Sequence, residues 1–400
     1  MKTEVFLNLE GRRYFVGVLS SDQNDTVFFQ YADDFLNTRL EISPISVPLQ
    51  RRTWVFNRGS FGGLPGFASD SLPDGWGNLL LHRQLTRRGE RLAEIDSLRR
   101  LCWVGCQGMG ALEYQPEEKF QEEFCLSDIR LDTLAENAEA ILADRESGIA
   151  LDALASLNGS SGGARPKIVC LLSDDRRTLI PGNIAIGSAE PWLIKFRNST
   201  DPADAGALEY AVSLLAKSAG IDMPETHLFE SSKGAGWFGI RRFDRTSAGK
   251  VHMATAAGLL HCDFRQPCLD YQTLMALTQR LAGAGDLEQM LKRAYFNFVI
   301  DNRDDHAKNF SFLMDGKGRW RLSPAYDLVP CAGGFEHMTA LMGVGKSPVR
   351  SLFVRLGEDF GLSHRKAQTA LAAVDESLSQ WHQLAKNCGV KSPPVFAPLK

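Results

Sequence analysis

The most informative part of the sequence is Asn302-Arg-Asp-Asp-His-Ala-Lys-Asn-Phe-Ser-Phe312, which is followed shortly by Leu322-Ser-Pro-Ala-Tyr-Asp-Leu328. Apolar residues at helical spacing come before it, and they predict an amphipathic helix that is capped by Asp286 and ends near Asp301-Asn302. Two short apolar runs on either side of Asp315-Gly316 predict a β-hairpin. The predicted order is therefore a helix, a polar loop, a hairpin and then Asp327.

The polar loop has an aspartate, four intervening residues and an asparagine, with a second aspartate beyond the hairpin, which is the spacing used by protein kinases. In that chemistry one carboxylate accepts or orients the attacking hydroxyl, while an amide oxygen and another carboxylate hold Mg²⁺ against the triphosphate. The spacing predicts Asp304 as the catalytic residue, with Asn309 and Asp327 as Mg²⁺ ligands. Asp305 competes with Asp304, and the four-residue gap to Asn309 selects Asp304. The alternative interpretation is a polar hairpin loop with capping residues.

Upstream of this loop, three segments occur in the order that a kinase requires. Asn158-Gly-Ser-Ser-Gly-Gly163 precedes an apolar strand, and its glycines let backbone N–H groups approach phosphates closely. The loop lacks the Gly-Lys-Ser/Thr of a Walker ATPase. Lys195 lies inside an apolar strand and needs a partner, which Glu209 on the following helix would supply. A lysine at a strand edge is the alternative.

Composition limits the class of protein. The 400 residues exceed one ordinary core, and 44% hydrophobic with 23% charged residues is typical of a globular chain. The net charge of −3 gives no global basic field for nucleic acid. The sequence has no apolar run long enough for a membrane helix and no secretory signal, so no membrane association is expected. Eight cysteines without a C-x-x-C pair predict reduced thiols in a cytoplasmic protein.

Three units are predicted along the chain. Residues 1–115 are β-rich, with a tight turn at Glu10-Gly11, and Pro73-Asp74-Gly75 predicts a turn with Gly75 at positive φ. Ten acidic residues against three basic ones between 117 and 146 indicate a boundary. Residues 116–245 are predicted to form a small lobe with the Gly-rich loop, and 246–400 a helical lobe with the catalytic loop.

Four motifs together resemble one known family. They are Ser160-Ser-Gly-Gly-Ala-Arg-Pro-Lys167, the stretch from Asn302 to Phe312, the stretch from Leu322 to Leu328, and Leu72-Pro-Asp-Gly-Trp-Gly77. They resemble the HipA family of serine/threonine-kinase toxins over most of the chain. The resemblance implies an α+β fold, in which a protein-kinase-like bilobal core carries a β-rich N-terminal domain and a helical C-terminal lobe.

The resemblance also implies roles for individual residues, with ATP and Mg²⁺ as cofactors. Asp304 matches the catalytic aspartate, Asn309 and Asp327 the metal ligands, and Ser160 the serine that such kinases autophosphorylate. The nucleotide-binding candidates are Ser161, Gly162, Gly163, Ala164, Lys167, Lys195, Glu209, Arg241, Phe243, His306 and Lys308. Arg241 and Phe243 match hinge positions. Some members of the family have glutamate where this sequence has Arg241. An adenine contact at Arg241 would therefore be made by its backbone.

The partners are likewise implied by the resemblance. They are a small helix-turn-helix antitoxin of the HipB type, operator DNA reached mainly through that antitoxin, and a protein substrate, expected to be an aminoacyl-tRNA synthetase of the glutamyl type. Two alternatives are a small-molecule kinase with a similar core and a co-repressor without kinase activity. The β-rich N-terminal region favours the family over the first. The set Asp304, Asn309 and Asp327 argues against the second, because a scaffold does not need these groups together.

Overall fold

In the computed structural model, the residues described are 1–57, 59–118, 130–145, 148–159, 162–173, 178–182, 187–331 and 333–400. The first sheet is antiparallel and contains β1 (Lys2–Leu9), β2 (Arg12–Ser21), β3 (Val27–Tyr31), β4 (Thr53–Phe56) and β5 (Leu112–Gln115). Its strand order is β4-β3-β2-β1-β5. The predicted tight turn between β1 and β2 is confirmed, with Glu10 and Gly11 both at positive φ.

Four helices accompany this sheet: α1 (Asp33–Leu36), α2 (Gly66–Ser69), α3 (Gly75–Arg87) and α4 (Ser97–Val104). The predicted turn with Gly75 at positive φ is wrong, because Gly75 is the first residue of α3 and its φ angle is negative. Glycine is required there for a different reason. A Cβ atom on Gly75 would lie 2.4 Å from the Cα atom of Ala164, so any side chain would collide with the backbone of the Gly-rich loop.

The second sheet is also antiparallel and has the order β7-β6-β8-β10-β9. It contains β6 (Lys167–Leu172), β7 (Leu179–Pro181), β8 (Glu190–Lys195), β9 (Thr226–Phe229) and β10 (Trp237–Arg241), with helices α5 (Leu131–Leu142), α6 (Gly148–Asn158) and α7 (Ala205–Ser218) nearby. Trp76 and Leu80 of α3 are buried in the same core as Leu151 and Leu154 of α6. Thus α3 packs with the second sheet although it precedes residue 115, and the boundaries at 115 and 245 stay a prediction.

The remaining chain is mainly helical, in agreement with the predicted fold class. Its helices are α8 (Ala256–Leu260), α9 (Tyr271–Leu281), α10 (Leu287–Val299), α11 (Arg350–Asp359), α12 (His364–Leu378) and α13 (Trp381–Asn387). Its strands are β11 (Arg245–Thr246), β12 (Gly249–Lys250), β13 (His252–Thr255), β14 (Leu269–Asp270), β15 (Ser311–Met314), β16 (Trp320–Leu322) and β17 (Thr339–Ala340). The predicted helix and hairpin around the catalytic loop are α10 and the antiparallel pair of β15 with β16.

Buried charges join the first sheet region to the helical lobe. Lys250 donates to Glu113 at 2.8 Å and to the Cys106 carbonyl at 2.7 Å. Arg245 donates to the carbonyl oxygens of Gly108 and Gly110, both at 2.8 Å. Because unpaired buried cations are strongly destabilising, these contacts fix the first sheet region against the rest of the chain.

Candidate active site

The predicted catalytic loop, residues 302–309, follows the end of α10. It is anchored by the side chain of Asp305, the alternative candidate for the catalytic role. Asp305 is fully buried and accepts hydrogen bonds from the Tyr271 hydroxyl at 2.8 Å and from the Thr339 amide at 3.1 Å. His337 also lies 3.1 Å from it and stacks on Phe298. Because the Asp305 carboxylate makes its contacts inside the core, its exposed neighbour Asp304 is the carboxylate that is available to a substrate.

The carboxyl group of Asp304 has an environment suited to accepting a proton. Although Asp304 is exposed as a residue, desolvation of its carboxyl group raises its pKa, with His306 opposing the shift and the negative charge of Asp327 adding to it. A base whose pKa moves towards the working pH is better placed for general base chemistry than an ordinary surface aspartate. The backbone carbonyl of Asp304 accepts a hydrogen bond from the side-chain Nδ2 of Asn309 at 2.8 Å, which fixes the asparagine side chain beside it.

Lys195 at the end of β8 connects the two lobes. Its Nζ atom donates to Oε1 of Glu209 at 2.6 Å and also contacts Oδ1 of Asp327. Burial alone would lower the pKa of Lys195, but the carboxylates of Asp327 and Glu209 outweigh it and raise that pKa. Burial opposes ionisation of Asp327, yet Lys195 and Lys167 hold its pKa below the usual range. The predicted pairing of Lys195 with Glu209 is therefore present in the structure, and Asp327 joins it.

In the Gly-rich loop, Asn158, Gly159 and the residues from Gly162 onward are described, while Ser160 and Ser161 lie outside the described residues. Gly163 has a φ of +94°, a conformation that favours glycine. The buried Lys167 donates to the Gly162 carbonyl, which ties the loop to the start of β6. Burial lowers the pKa of Lys167 to about 8, and the nearby charge of Lys195 acts in the same direction.

Arg165, which lies in the motif from Ser160 to Lys167, extends the charge network. Its guanidinium lies 3.1 Å from Asp201 and 3.8 Å from Glu209. These ion-pair partners could not be chosen from the sequence, because they lie far from Arg165 along the chain.

The remaining nucleotide-binding candidates fall at different distances from this network. Phe243 packs against Tyr326, the residue before Asp327, with ring centroids 5.6 Å apart. Arg241 instead pairs with Glu190 at 2.6 Å near the surface. His306 and Lys308 lie on the catalytic loop, and both contact the ring of Phe264.

One residue that the sequence analysis did not select lies in the site. Asp74, from the Leu-Pro-Asp-Gly motif, accepts a hydrogen bond from the Gly163 amide and lies 3.2 Å from Nζ of Lys308. The motif itself was the available signal, but it indicated only a local turn and a family resemblance.

The residues present fit ATP with Mg²⁺. His306 is half-buried, and its buried Nδ1 atom has no hydrogen-bond partner among the described residues, so it offers a polar atom to a ligand beside the predicted catalytic loop. Asn309 and Asp327 supply the amide and carboxylate oxygens that Mg²⁺ prefers, and this ion usually takes its other ligands from water and phosphate. The described part of the chain has no cluster of three or more His, Cys, Asp or Glu side chains able to hold a metal alone.

Comparison with known proteins identifies the family. Residues 7–115 match the HipA N-terminal domain, and residues 159–381 match the HipA-like C-terminal domain. Two Sinorhizobium fredii proteins are similar to the chain. "Putative kinase Y4mE" is 26% identical over 342 residues, which cover 78% of this chain and 74% of that protein. "Putative kinase Y4dM" is 27% identical over 158 residues, which cover 36% of this chain and only 38% of that protein.

A solved structure has the same fold. It is the HipA chain from the complex of Shewanella oneidensis MR-1 HipA with HipB and operator DNA, with a TM-score of 0.68 at 17% sequence identity. The likeness covers 98% of this chain and 92% of that one. The α+β fold expected from the sequence is thus confirmed. In the described residues, none of the helices has the length and apolar character needed to cross a membrane.

Proposed function

The chain belongs to the HipA family, and from this premise we propose that it is an ATP- and Mg²⁺-dependent serine/threonine protein kinase that acts as the toxin of a toxin–antitoxin pair. The observation that carries the kinase proposal is the ion network in which Lys195 contacts both Glu209 and Asp327. Kinases use such a lysine–glutamate pair to position the phosphates of ATP, with the second aspartate on the metal. The chain's relatives named as kinases support the same activity.

In this proposal each side chain has one task. Asp304 accepts the proton of the attacking hydroxyl, and its raised pKa suits that task. Lys195 binds the α- and β-phosphates while Glu209 keeps its ammonium in position. Asn309 and Asp327 would hold Mg²⁺, which neutralises charge developing on the transferred phosphoryl group.

The Gly-rich loop and the hinge complete the proposed nucleotide site. Backbone N–H groups around Gly162, Gly163 and Ala164 would cover the phosphates, with Lys167 behind them. Phe243 contacts Tyr326 next to the metal-binding aspartate, which supports a place for it near the base of the nucleotide. Arg241 pairs with Glu190, so its contribution to adenine binding would come from its backbone.

The proposed partners follow from the family. The Shewanella HipA chain was solved with HipB and operator DNA, which supports a small HipB-like, helix-turn-helix antitoxin and DNA binding mainly through it. The protein substrate that we propose is an aminoacyl-tRNA synthetase, and the glutamyl enzyme is the first candidate. Because such a substrate is cytoplasmic, we propose that the kinase acts in the cytoplasm. We also propose that Ser160 is autophosphorylated and that its phosphate, carrying about −1.5 to −2 charges, competes with the γ-phosphate and switches the kinase off.

The decisive experiment compares the full chain with Asp304→Asn. Both are incubated with Mg²⁺ and γ-labelled ATP, alone and with purified glutamyl-tRNA synthetase, and phosphopeptides are mapped. We expect the wild-type chain to label itself at Ser160 and to label the synthetase, and Asp304→Asn to do neither while binding ATP with unchanged affinity. Equal labelling by both proteins would reject Asp304 as the catalytic residue. A wild-type chain that binds neither ATP nor Mg²⁺ but binds antitoxin would instead identify a co-repressor.

A further inference from the structure

The side chain of Asp74 connects two loops of the proposed nucleotide site. The residue sits at the N-cap position of α3, but its carboxylate does not cap that helix. One oxygen accepts a hydrogen bond from the Gly163 amide of the Gly-rich loop, and the other lies 3.2 Å from Nζ of Lys308 on the catalytic loop. The Asp74 and Lys308 side chains are only 11% and 12% exposed, so water screens their attraction weakly.

Backbone contacts hold the start of α3 against the Gly-rich loop independently of this carboxylate. The Trp76 amide donates to the Gly163 carbonyl at 3.1 Å, so both polar backbone groups of Gly163 are bound by residues 74–76. The backbones of Gly75 and Ala164 approach so closely that a Cβ atom on Gly75 would lie 2.4 Å from the Ala164 Cα atom. The start of α3 therefore forms a wall against which the Gly-rich loop is fixed.

The start of α3 is itself held in place by a packed core. Trp76 is 1% exposed and Leu80 is 2% exposed, and both pack in one core with Leu154 of α6, the helix that leads into the Gly-rich loop. Moving Asp74 away from the loop would therefore disturb a packed core as well as break polar contacts.

We propose that Asp74 is a positioning residue for nucleotide binding. It fixes the distance between the Gly-rich loop and Lys308 so that both reach the phosphates of one nucleotide. This inference rests on the proposed kinase function. It means that a residue from the segment before residue 115 takes part in forming the nucleotide site.

The opposite role for Asp74 would be to occupy the position of a phosphate and inhibit binding. Two features of the site favour positioning. An inhibitory carboxylate must withdraw when the nucleotide arrives, whereas the Trp76–Gly163 hydrogen bond and the Gly75–Ala164 approach hold Asp74 in place. In addition, an ammonium group has three N–H donors, so Lys308 can contact Asp74 and a phosphate at once.

The test uses two variants of Asp74 and one matched control. Asp74→Ala removes both contacts, while Asp74→Asn keeps an oxygen that can accept from Gly163 and loses the charge that attracts Lys308. Asp96→Asn is the control, because Asp96 also occupies an N-cap position in the first 115 residues, where its carboxylate accepts from the Leu98 amide at 2.7 Å and, among the described residues, contacts neither loop of the nucleotide site. Two quantities are measured on each full chain: hydrogen exchange of the peptide covering 162–167 without nucleotide, and the Kd for a non-hydrolysable ATP analogue with Mg²⁺.

We expect Asp74→Ala to speed exchange at residues 162–167 and to weaken analogue binding by about tenfold or more, the effect of losing one partly buried charge-assisted contact. Asp74→Asn should weaken binding with a smaller change in exchange. Adding Lys308→Met should weaken binding further, because Lys308 also contacts a phosphate, but by less than Lys308→Met does alone, because the two residues share one contact. Asp96→Asn should match wild type in both measurements.

Tighter analogue binding by Asp74→Ala would overturn the proposal and identify an inhibitory carboxylate. Unchanged binding by both Asp74 variants would also overturn it, leaving a purely structural contact. The exchange measurement needs no nucleotide. If the wild-type chain failed to bind the analogue, the proposed kinase function would fail, while faster exchange in Asp74→Ala would still confirm the loop contact.

Discussion

Replacing Glu209 by glutamine keeps the shape of the side chain and removes the negative charge that faces Lys195. The two groups lie 2.6 Å apart with side chains 5% and 12% exposed, so the contact is a charge-assisted hydrogen bond with little solvent screening. Loss of such a bond is worth about 1.5–3 kcal/mol. At about 1.4 kcal/mol for each factor of ten, kcat/KM for ATP should fall by about 10- to 150-fold.

The fold should survive this change because Lys195 keeps its contact with Asp327. With Glu209 neutral, the ammonium has a single carboxylate to bind, and that carboxylate is the proposed metal ligand. We therefore expect a higher Mg²⁺ concentration for half-maximal activity, in addition to the higher KM for ATP. The assay is ATP turnover and self-labelling across ATP and Mg²⁺ concentrations, with the melting temperature measured in parallel.

The matched control is Glu136→Gln. Glu136 pairs with Lys233 at the same distance, 2.6 Å, but the two side chains are 56% and 47% exposed. Water screens this pair, so kcat/KM should stay within about twofold of wild type. If Glu209→Gln also stayed within that range at an unchanged melting temperature, the proposed role of the Lys195–Glu209 pair in ATP positioning would be refuted.

Three further outcomes are expected. Asp327→Asn should abolish Mg²⁺-dependent phosphoryl transfer without lowering the melting temperature, and retained transfer would contradict its assignment as a metal ligand. Because the pKa of Lys167 is lowered to about 8, its positive charge is present below that pH and lost above it. ATP affinity should therefore fall by about tenfold between pH 7 and 9, and Lys167→Arg should remove this dependence if Lys167 causes it. Asp244→Asn should lower the free energy of unfolding by about 3–5 kcal/mol in urea titrations, because the buried carboxylate accepts from Arg242 and Arg245. A loss under about 1 kcal/mol would show that this buried ion pair contributes little to stability.

The sequence predicted those parts of the site that depend on local order and residue type. Lys195 was selected because an ammonium inside an apolar strand needs a partner, and Glu209 because it follows on the next helix; the structure has them in contact. The helix before the catalytic loop and the hairpin after it were predicted from hydrophobic spacing, which packing of one face makes reliable.

Contacts between distant segments could not be predicted in this way. Asp74 and Gly163 are 89 residues apart, and no periodic pattern links them. The same holds for Gly75, which was predicted to adopt positive φ but begins a helix, since its lack of a side chain serves a close approach to Ala164. A glycine in a sequence indicates either conformational freedom or close packing, and only the three-dimensional neighbours distinguish the two.

The contacts of Lys250 and Arg245 with the first sheet region have a practical consequence for dividing the chain. A fragment starting at residue 116 would keep both cations but lose the Glu113 carboxylate and the carbonyl oxygens of Gly108 and Gly110. Arg245 would keep Asp244, but Lys250 would lose both of its acceptors, and the apolar side chains of α6 that pack against Trp76 and Leu80 would be exposed. Exposed apolar surface favours aggregation, so a separately expressed kinase-like half should be poorly soluble. Supplying residues 1–115 on a second polypeptide in the same cell should restore the missing acceptors. The two pieces are then expected to purify together as a noncovalent complex.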